Sequence, residues 1–273
     1  MNKELSIIVT SYKNPSVLRL CLEALKKNVL CQNYEILVLD SATEEDTETM
    51  MREDFPDVSF FPFEKNLGFP RLVNHGLKYA KGDYILILNA DIIIEKKSAD
   101  ILMEQLKADP SVGIVGPRLL NFDGKIQFSC FRFYTLPVIL YRRTFLGKFG
   151  FARRKIDKFL YKDKDLEKPQ EVDWLMGSAM MTSRRACDIV GPMEEKFGFM
   201  YFEDVDWCRR FWEKGFKVVY CPYVKMFHYH GKGSAGQSAL GAVLFNRLTR
   251  EHVKSAAKYF RKYLGKPNPH KEK

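Results

Sequence analysis

Glu203, Asp204 and Asp206 put three carboxylates within four residues, directly after the aromatic run Phe199-Met200-Tyr201-Phe202. Acids in the first turn of a helix are stabilised by its dipole, and one or two would serve that end. Three exceed what capping requires, so one of them is a candidate general base that takes the proton of an attacking hydroxyl. Asp91 follows the apolar run Tyr84-Ile85-Leu86-Ile87-Leu88 through Asn89-Ala90. A carboxylate at a strand end beside phosphate oxygens suits Mg2+ or Mn2+; standing alone it would cap the next turn. His228 and His230 flank Tyr229 ahead of Gly231-Lys232-Gly233-Ser234, and in an extended segment both imidazoles face one side, suited to a metal or a phosphate.

The elements that position these residues alternate between strand and helix. Leu5 to Val9 reads as a buried strand, followed by an Asn14-Pro15 helix start with Val17, Leu18, Cys21, Leu22 and Leu25 on one face. A strand from Glu35 ends at Asp40, and an acidic helix from about Glu44 to Arg52, capped by Thr43, leads to a strand at Val58 to Phe61. Helices over about 70–80 and 98–107 enclose the strand Tyr84 to Leu88, and Val112 to Val115 follows as strand. This pattern predicts an α/β fold with a mostly parallel sheet flanked by helices. Ligands of such sheets sit beyond the carboxyl ends of the strands, which brings in Thr10-Ser11-Tyr12, Asp40 and Asn89-Ala90-Asp91 as candidates. Neither GxGxxG after the first strand nor GxxxxGK[ST] is present.

Beyond Gly116 the period changes. Asp123-Gly124 reads as a hairpin turn, Val172 to Thr182 as extended chain, Lys217 to Tyr220 as strand, and about 240–263 as a final helix. The expected organisation is one catalytic domain over 1–240, divided near 116 into a nucleotide-binding and an acceptor half, with a basic helix and tail over 241–273.

The net charge of +10 is concentrated. Phe131 to Lys162 carries nine Lys/Arg against Asp157 alone, interleaved with aromatic residues, and Thr249 to Lys273 carries eight against Glu251 and Glu272. We read the first stretch and the tail as a docking surface for an anionic membrane, with Arg142, Arg143, Arg153, Arg154, Lys155 and Lys158 at the headgroups and Phe145, Phe149, Phe151 and Phe159 inserted. The rival is an acceptor-side loop that never meets lipid. Without a zinc-finger, RRM or KH signature, nucleic acid is not an expected partner. The first residues lack the pattern of a signal peptide and no stretch matches a spanning helix, so the expected location is cytoplasmic, peripheral at the inner membrane face. Six cysteines without a CxxC pair argue against a disulfide framework or a cysteine zinc site.

Four strings carry a resemblance: Leu5 to Tyr12; the strand ending in Asp40; Asn66-Leu67-Gly68-Phe69 with Asn74 and Gly76; and Gly82 to Asp91. Together they resemble family 2 inverting glycosyltransferases. The later runs Val172 to Ala179 and Phe199 to Arg210 are similar to the rhamnosyltransferase-like branch. The resemblance implies a GT-A fold that binds a nucleotide-diphospho sugar, with Thr10, Tyr12 and Asp40 near the base and Arg71 and Asn74 near the ribose or diphosphate. It further implies that Asp91 and His228 are metal ligands, with His230 the alternative, and that Asp204 in the Glu203-Asp204 pair is the base. Asn89 stands where the family's metal motif has its first acid. The implied donor is a UDP- or dTDP-sugar, dTDP-rhamnose included, and the acceptor a lipid-linked or polysaccharide precursor. A non-catalytic nucleotide-sugar-binding module is the first alternative, against which stands the retention of the candidate base and metal groups, and a nucleic-acid-binding protein, suggested by the charge alone, is the second.

Overall fold

Strands β1 (Leu5–Tyr12), β2 (Tyr34–Ser41), β3 (Ser59–Phe63) and β4 (Tyr84–Asn89) run parallel in the order β3-β2-β1-β4 in a computed structural model that describes residues 3–229 and 247–270. Their side chains alternate between two cores. Ile8, Leu37, Leu39, Ile85 and Ile87 enter one, and Leu5, Ile7, Val9, Val38, Leu86 and Leu88 the other. Strands covered on both faces read as continuous apolar runs, which is why they were legible. Helices α1 (Pro15–Asn28) and α2 (Glu45–Asp54) close the second core through Leu18, Cys21, Leu22, Met50 and Met51. Helix α3 (Phe69–Tyr79) closes the first through Leu72, Val73 and Leu77. Asn14 caps α1 by accepting from Val17 N at 3.2 Å. Thr43 does not cap α2: its hydroxyl donates to Asp40 O and accepts from Phe63 N, tying the ends of β2 and β3 together.

The chain moves outward from β1 to β3 and returns on the other side of β1 as β4, so the sheet has a topological switch point between β1 and β4. Beyond it come β5 (Ile92–Ile94), α4 (Ser98–Ala108), β6 (Val112–Leu120), β7 (Ile126–Gln127) and β8 (Cys130–Phe131). Two short helices follow, α5 (Leu136–Arg143) and α6 (Gly150–Phe159), then β9 (Gln170–Glu171), β10 (Trp174–Leu175), β11 (Ala179–Ser183) and α7 (Arg184–Val190). Helix α8 (Glu203–Glu213), β12 (Lys217–His228) and α9 (Arg247–Lys262) complete the described chain. The main sheet continues β4-β11-β6-β12-β5, with β11 antiparallel to both neighbours. The extended stretch expected over 172–182 is divided, because β10 pairs with β8 in a small second sheet while β11 enters the main one.

One further expectation is corrected. Within 131–162, Phe131, Phe133, Phe159 and Tyr161 are buried in the first core, so Phe159 is a core residue and not a lipid contact. The C-terminal helix is part of the same core: Ala256, Tyr259 and Tyr263 pack there, and Lys262 pairs with Asp206. No described helix is long and apolar enough to cross a membrane.

Candidate active site

At the switch point, Thr10 on β1 stands in register with Asn89 on β4, and the Thr10 hydroxyl donates to Asn89 Oδ1 at 3.1 Å. Asn89 N donates to Ser178 O and Ala90 N to Thr10 O, so the backbone entering Asp91 is held from two sides. Asp91 leads into β5, which pairs antiparallel with the end of β12, and Tyr229 N donates to Asp91 O at 2.8 Å. This ladder carries His228 to Asp91: Nε2 lies 3.3 Å from Asp91 Oδ1. The contact lacks hydrogen-bond geometry, and Asp91 Oδ1 is buried with no hydrogen-bond partner. The other ring nitrogen, Nδ1, lies 2.9 Å from Gln127 Oε1 on β7. His230 lies outside the described residues.

A bulge determines which way the end of β12 faces. Cys221 is in register with Pro117 and Lys225 with Arg118, so three extra residues sit on β12. An odd insertion exchanges the faces of a strand. Val218 and Tyr220 accordingly enter the first core, whereas Val224 and Met226 enter the second.

Asp91 and His228 line a cavity of about 620 Å3 together with Asn89, Ser178, Glu203 and Asp204. Glu203 and Asp204 open α8 after two consecutive left-handed residues, Tyr201 (φ 82°) and Phe202 (φ 72°). Non-glycine residues in that region cost of order 1 kcal/mol or more each and need surrounding structure to hold them. Gly68 allows it: a Cβ there would lie 2.6 Å from the Phe199 backbone, whose carbonyl accepts from Phe69 N at 2.8 Å. Asp204 accepts from Gly177 N at 3.1 Å and Val205 N at 2.8 Å. Burial pushes its carboxyl above the ordinary aspartate range, against the pull of those backbone donors. Glu203 is buried with Oε2 unpartnered, and burial followed by the charge of Asp204 pushes its carboxyl up as well. The Ser178 hydroxyl is a third buried, unpartnered atom of this cavity. Asp206, the third acid, points away: fully buried, it accepts from Arg210, Lys262 and Tyr263 and locks α8 to α9.

Residues 6–188 match the Glycosyl transferase family 2 domain. The chain belongs to glycosyl transferase family 2. It is 27% identical over 221 residues to the N-acetylglucosaminyl-diphospho-decaprenol L-rhamnosyltransferase of Mycobacterium tuberculosis, covering 76% of this chain and 71% of that protein. It is 29% identical over 143 residues to the poly-beta-1,6-N-acetyl-D-glucosamine synthase of Staphylococcus aureus, 46% of this chain and 35% of the synthase. A solved structure of GalNAc-T7 with UDP, GalNAc and Mn2+ superposes with a TM-score of 0.63 at 13% identity, over 96% of this chain and 56% of that one. That likeness shows the fold, GT-A.

In this family 2 glycosyltransferase the remaining candidates divide. Ser11 and Asp40 face each other in register at the ends of β1 and β2, both buried, and neither Ser11 Oγ nor the Asp40 oxygens have a partner at hydrogen-bond geometry. Burial raises the Asp40 carboxyl, partly offset by the nearby Ser11 and Thr43 hydroxyls. Tyr12, at the end of β1, is exposed. Arg71 and Asn74 are not brought to the cavity. They line a separate shallow cleft, where Arg71 pairs with Glu195 and Asn74 holds Met193 N, Met193 O and Glu195. Asn74 thus clamps the 193–195 loop.

Asp91 and His228 fit a divalent cation. Asp91 Oδ1 is desolvated without a hydrogen bond, His228 Nε2 lies 3.3 Å from it, and Gln127 Oε1 at Nδ1 is the kind of acceptor that would leave Nε2 to a cation. No cluster of three or more His, Cys, Asp or Glu occurs among the described residues, so diphosphate oxygens and water would complete the shell. Gln127, Ser178 and His252 also belong to this site, and sequence reasoning had not singled them out; Arg142, expected at the lipid headgroups, lines the cavity and lies over the Phe159 ring. His252, on α9, packs edge-on to Tyr201 and Phe202. The stacked Phe131 and Trp174, ring centroids 4.4 Å apart, form with Tyr134 an aromatic wall.

Proposed function

We propose that the protein transfers one sugar from a UDP- or dTDP-sugar to a hydroxyl of a lipid-linked or polysaccharide precursor, with inversion, at the inner face of a cell membrane. The observation that carries this reading is that Asp204, Asp91 and His228 line one cavity at the switch point of a family 2 sheet.

In this reading Ser11 and Asp40 take the base of the donor, their unpartnered atoms meeting its polar edge, with Thr10 and Tyr12 beside them. A divalent cation held by Asp91 and His228 would neutralise the charge growing on the diphosphate. Asp204 takes the acceptor's proton as the hydroxyl oxygen bonds to the anomeric carbon. The bond from that carbon to the diphosphate breaks, and the nucleoside diphosphate leaves with the electron pair. Glu203 is the more reluctant of the pair to ionise, because burial and the charge of Asp204 act together; it therefore donates to a hydroxyl of the transferred sugar. The aromatic wall packs against the apolar face of a sugar ring. The Mycobacterium tuberculosis relative, whose name specifies a saccharide on a diphospho-decaprenol and an L-rhamnosyl donor group, supports a lipid-linked acceptor and dTDP-rhamnose among the donors.

Purified protein screened against nucleotide sugars tests the reading. The cognate donor should raise the melting temperature by mass action and be slowly hydrolysed. A donor that binds but is neither transferred nor hydrolysed would favour the non-catalytic module.

A further inference from the structure

Between β8 and β9 the chain leaves a row of aromatic rings on the surface. Phe145 is 70% exposed, and its ring centroid lies 6.3 Å from that of Phe149. Phe149 stacks on Phe151 at 6.1 Å, and Phe151 meets Tyr141 edge-on at 5.7 Å. Leu136 and Leu140, one turn apart on α5, are also exposed, at 67% and 50%. A soluble protein rarely presents so contiguous an apolar patch without using it.

The same segment supplies the charge. Arg153, Arg154 and Lys155 are exposed on α6. The acid of that helix, Asp157, is already paired with Lys162. Exposed aromatic residues beside exposed cations are what an anionic interface selects, the rings entering the headgroup boundary and the cations meeting lipid phosphates. Helix α5 also reaches the active site, since Ile139 and Arg142 line the cavity.

We propose that α5, α6 and the turn between them form a docking face for an anionic bilayer, which holds the cavity mouth, at Arg142, against the surface where a lipid-carried acceptor arrives. The proposal rests on the reading of the protein as a transferase with such an acceptor. It excludes Phe159, which is in the core, and it does not need α9.

The test is cosedimentation of the full chain with vesicles of phosphatidylcholine alone or mixed with phosphatidylglycerol, without donor or acceptor. Binding should require phosphatidylglycerol and fall with salt. Each basic residue near an anionic surface is worth about fivefold in partition, so Arg153→Glu/Arg154→Glu/Lys155→Glu, which reverses three charges, should lower it by at least about 100-fold. Phe145→Ser/Phe149→Ser/Phe151→Ser should lower it at every salt concentration. Both variants should keep the wild-type melting temperature and donor hydrolysis, since none of the six residues lines the cavity. Absence of binding at low salt, or binding that both variants leave intact, overturns the proposal and turns this face to a soluble polysaccharide or a protein. Because vesicle binding is read without turnover, its failure would leave the transferase reading standing, and lost donor hydrolysis would leave vesicle binding unaffected.

Discussion

The side-chain oxygen of Gln127 lies 2.9 Å from Nδ1 of His228. With a cation bound, an acceptor at that position would hold the imidazole proton on Nδ1 and leave Nε2 to the cation beside Asp91, the tautomer a metal-binding histidine needs. Removing such an orienting partner typically costs about 10- to 100-fold in metal affinity. Gln127→Leu should therefore weaken Mn2+ binding by that factor in a calorimetric titration with nucleoside diphosphate present. Transfer by the wild-type protein should be lost in chelator and restored by Mg2+ or Mn2+. Full activity in chelator would leave Asp91 and His228 as donor contacts only.

Asp204→Asn should lower turnover by about 10²- to 10⁴-fold while leaving donor affinity within a factor of two or so, because a positioned base acts in the transition state. Near-normal transfer by this variant would move the role to Glu203.

The acid limb of kcat/KM follows from burial. Asp204 must be ionised to accept a proton, and its raised pKa means that activity is present above that pKa and lost as pH falls through it. The limb should lie above the ordinary aspartate value of about 3.9. Glu203 is still neutral where Asp204 ionises, so Glu203→Gln should leave the limb in place. A limb near the ordinary value, or one that moves by a full unit in Glu203→Gln, would contradict this order of ionisation.

Asp206 is predicted to matter for stability and not for chemistry. Asp206→Asn removes the buried charge that Arg210 and Lys262 pair with and that Tyr263 donates to. Breaking a buried pair from one side costs about 3 kcal/mol or more, which lowers the melting temperature of a chain of this size by roughly 6–12 °C. Donor hydrolysis well below the transition should be retained. A variant that melts normally but has lost transfer would identify Asp206 as the base.

The parallel half of the fold was legible in the sequence because β1, β2 and β4 are buried on both faces and its helices on one, so periodicity alone separates them. Asp40, Asn89 and Asp91 were legible as strand-end residues for the same reason. What only the tertiary structure decided is which groups meet. Asp204 and Asp206 share one helical turn and are alike in sequence. The hundred-degree step between successive residues sends Asp204 into the cavity and Asp206 into the contact with α9. His228 faces Asp91 through a bulge that no alternation pattern announces, and Gln127 reaches His228 from a two-residue strand too short to carry a period. Arg71 and Asn74 sit on a well-read helix, yet the 193–195 loop occupies them. The basic aromatic stretch shows the same division: composition marked it as a surface, but Phe145 and Phe159 differ only in which side of the α5–α6 segment packs on Trp174 and the core, and that is a matter of long-range packing.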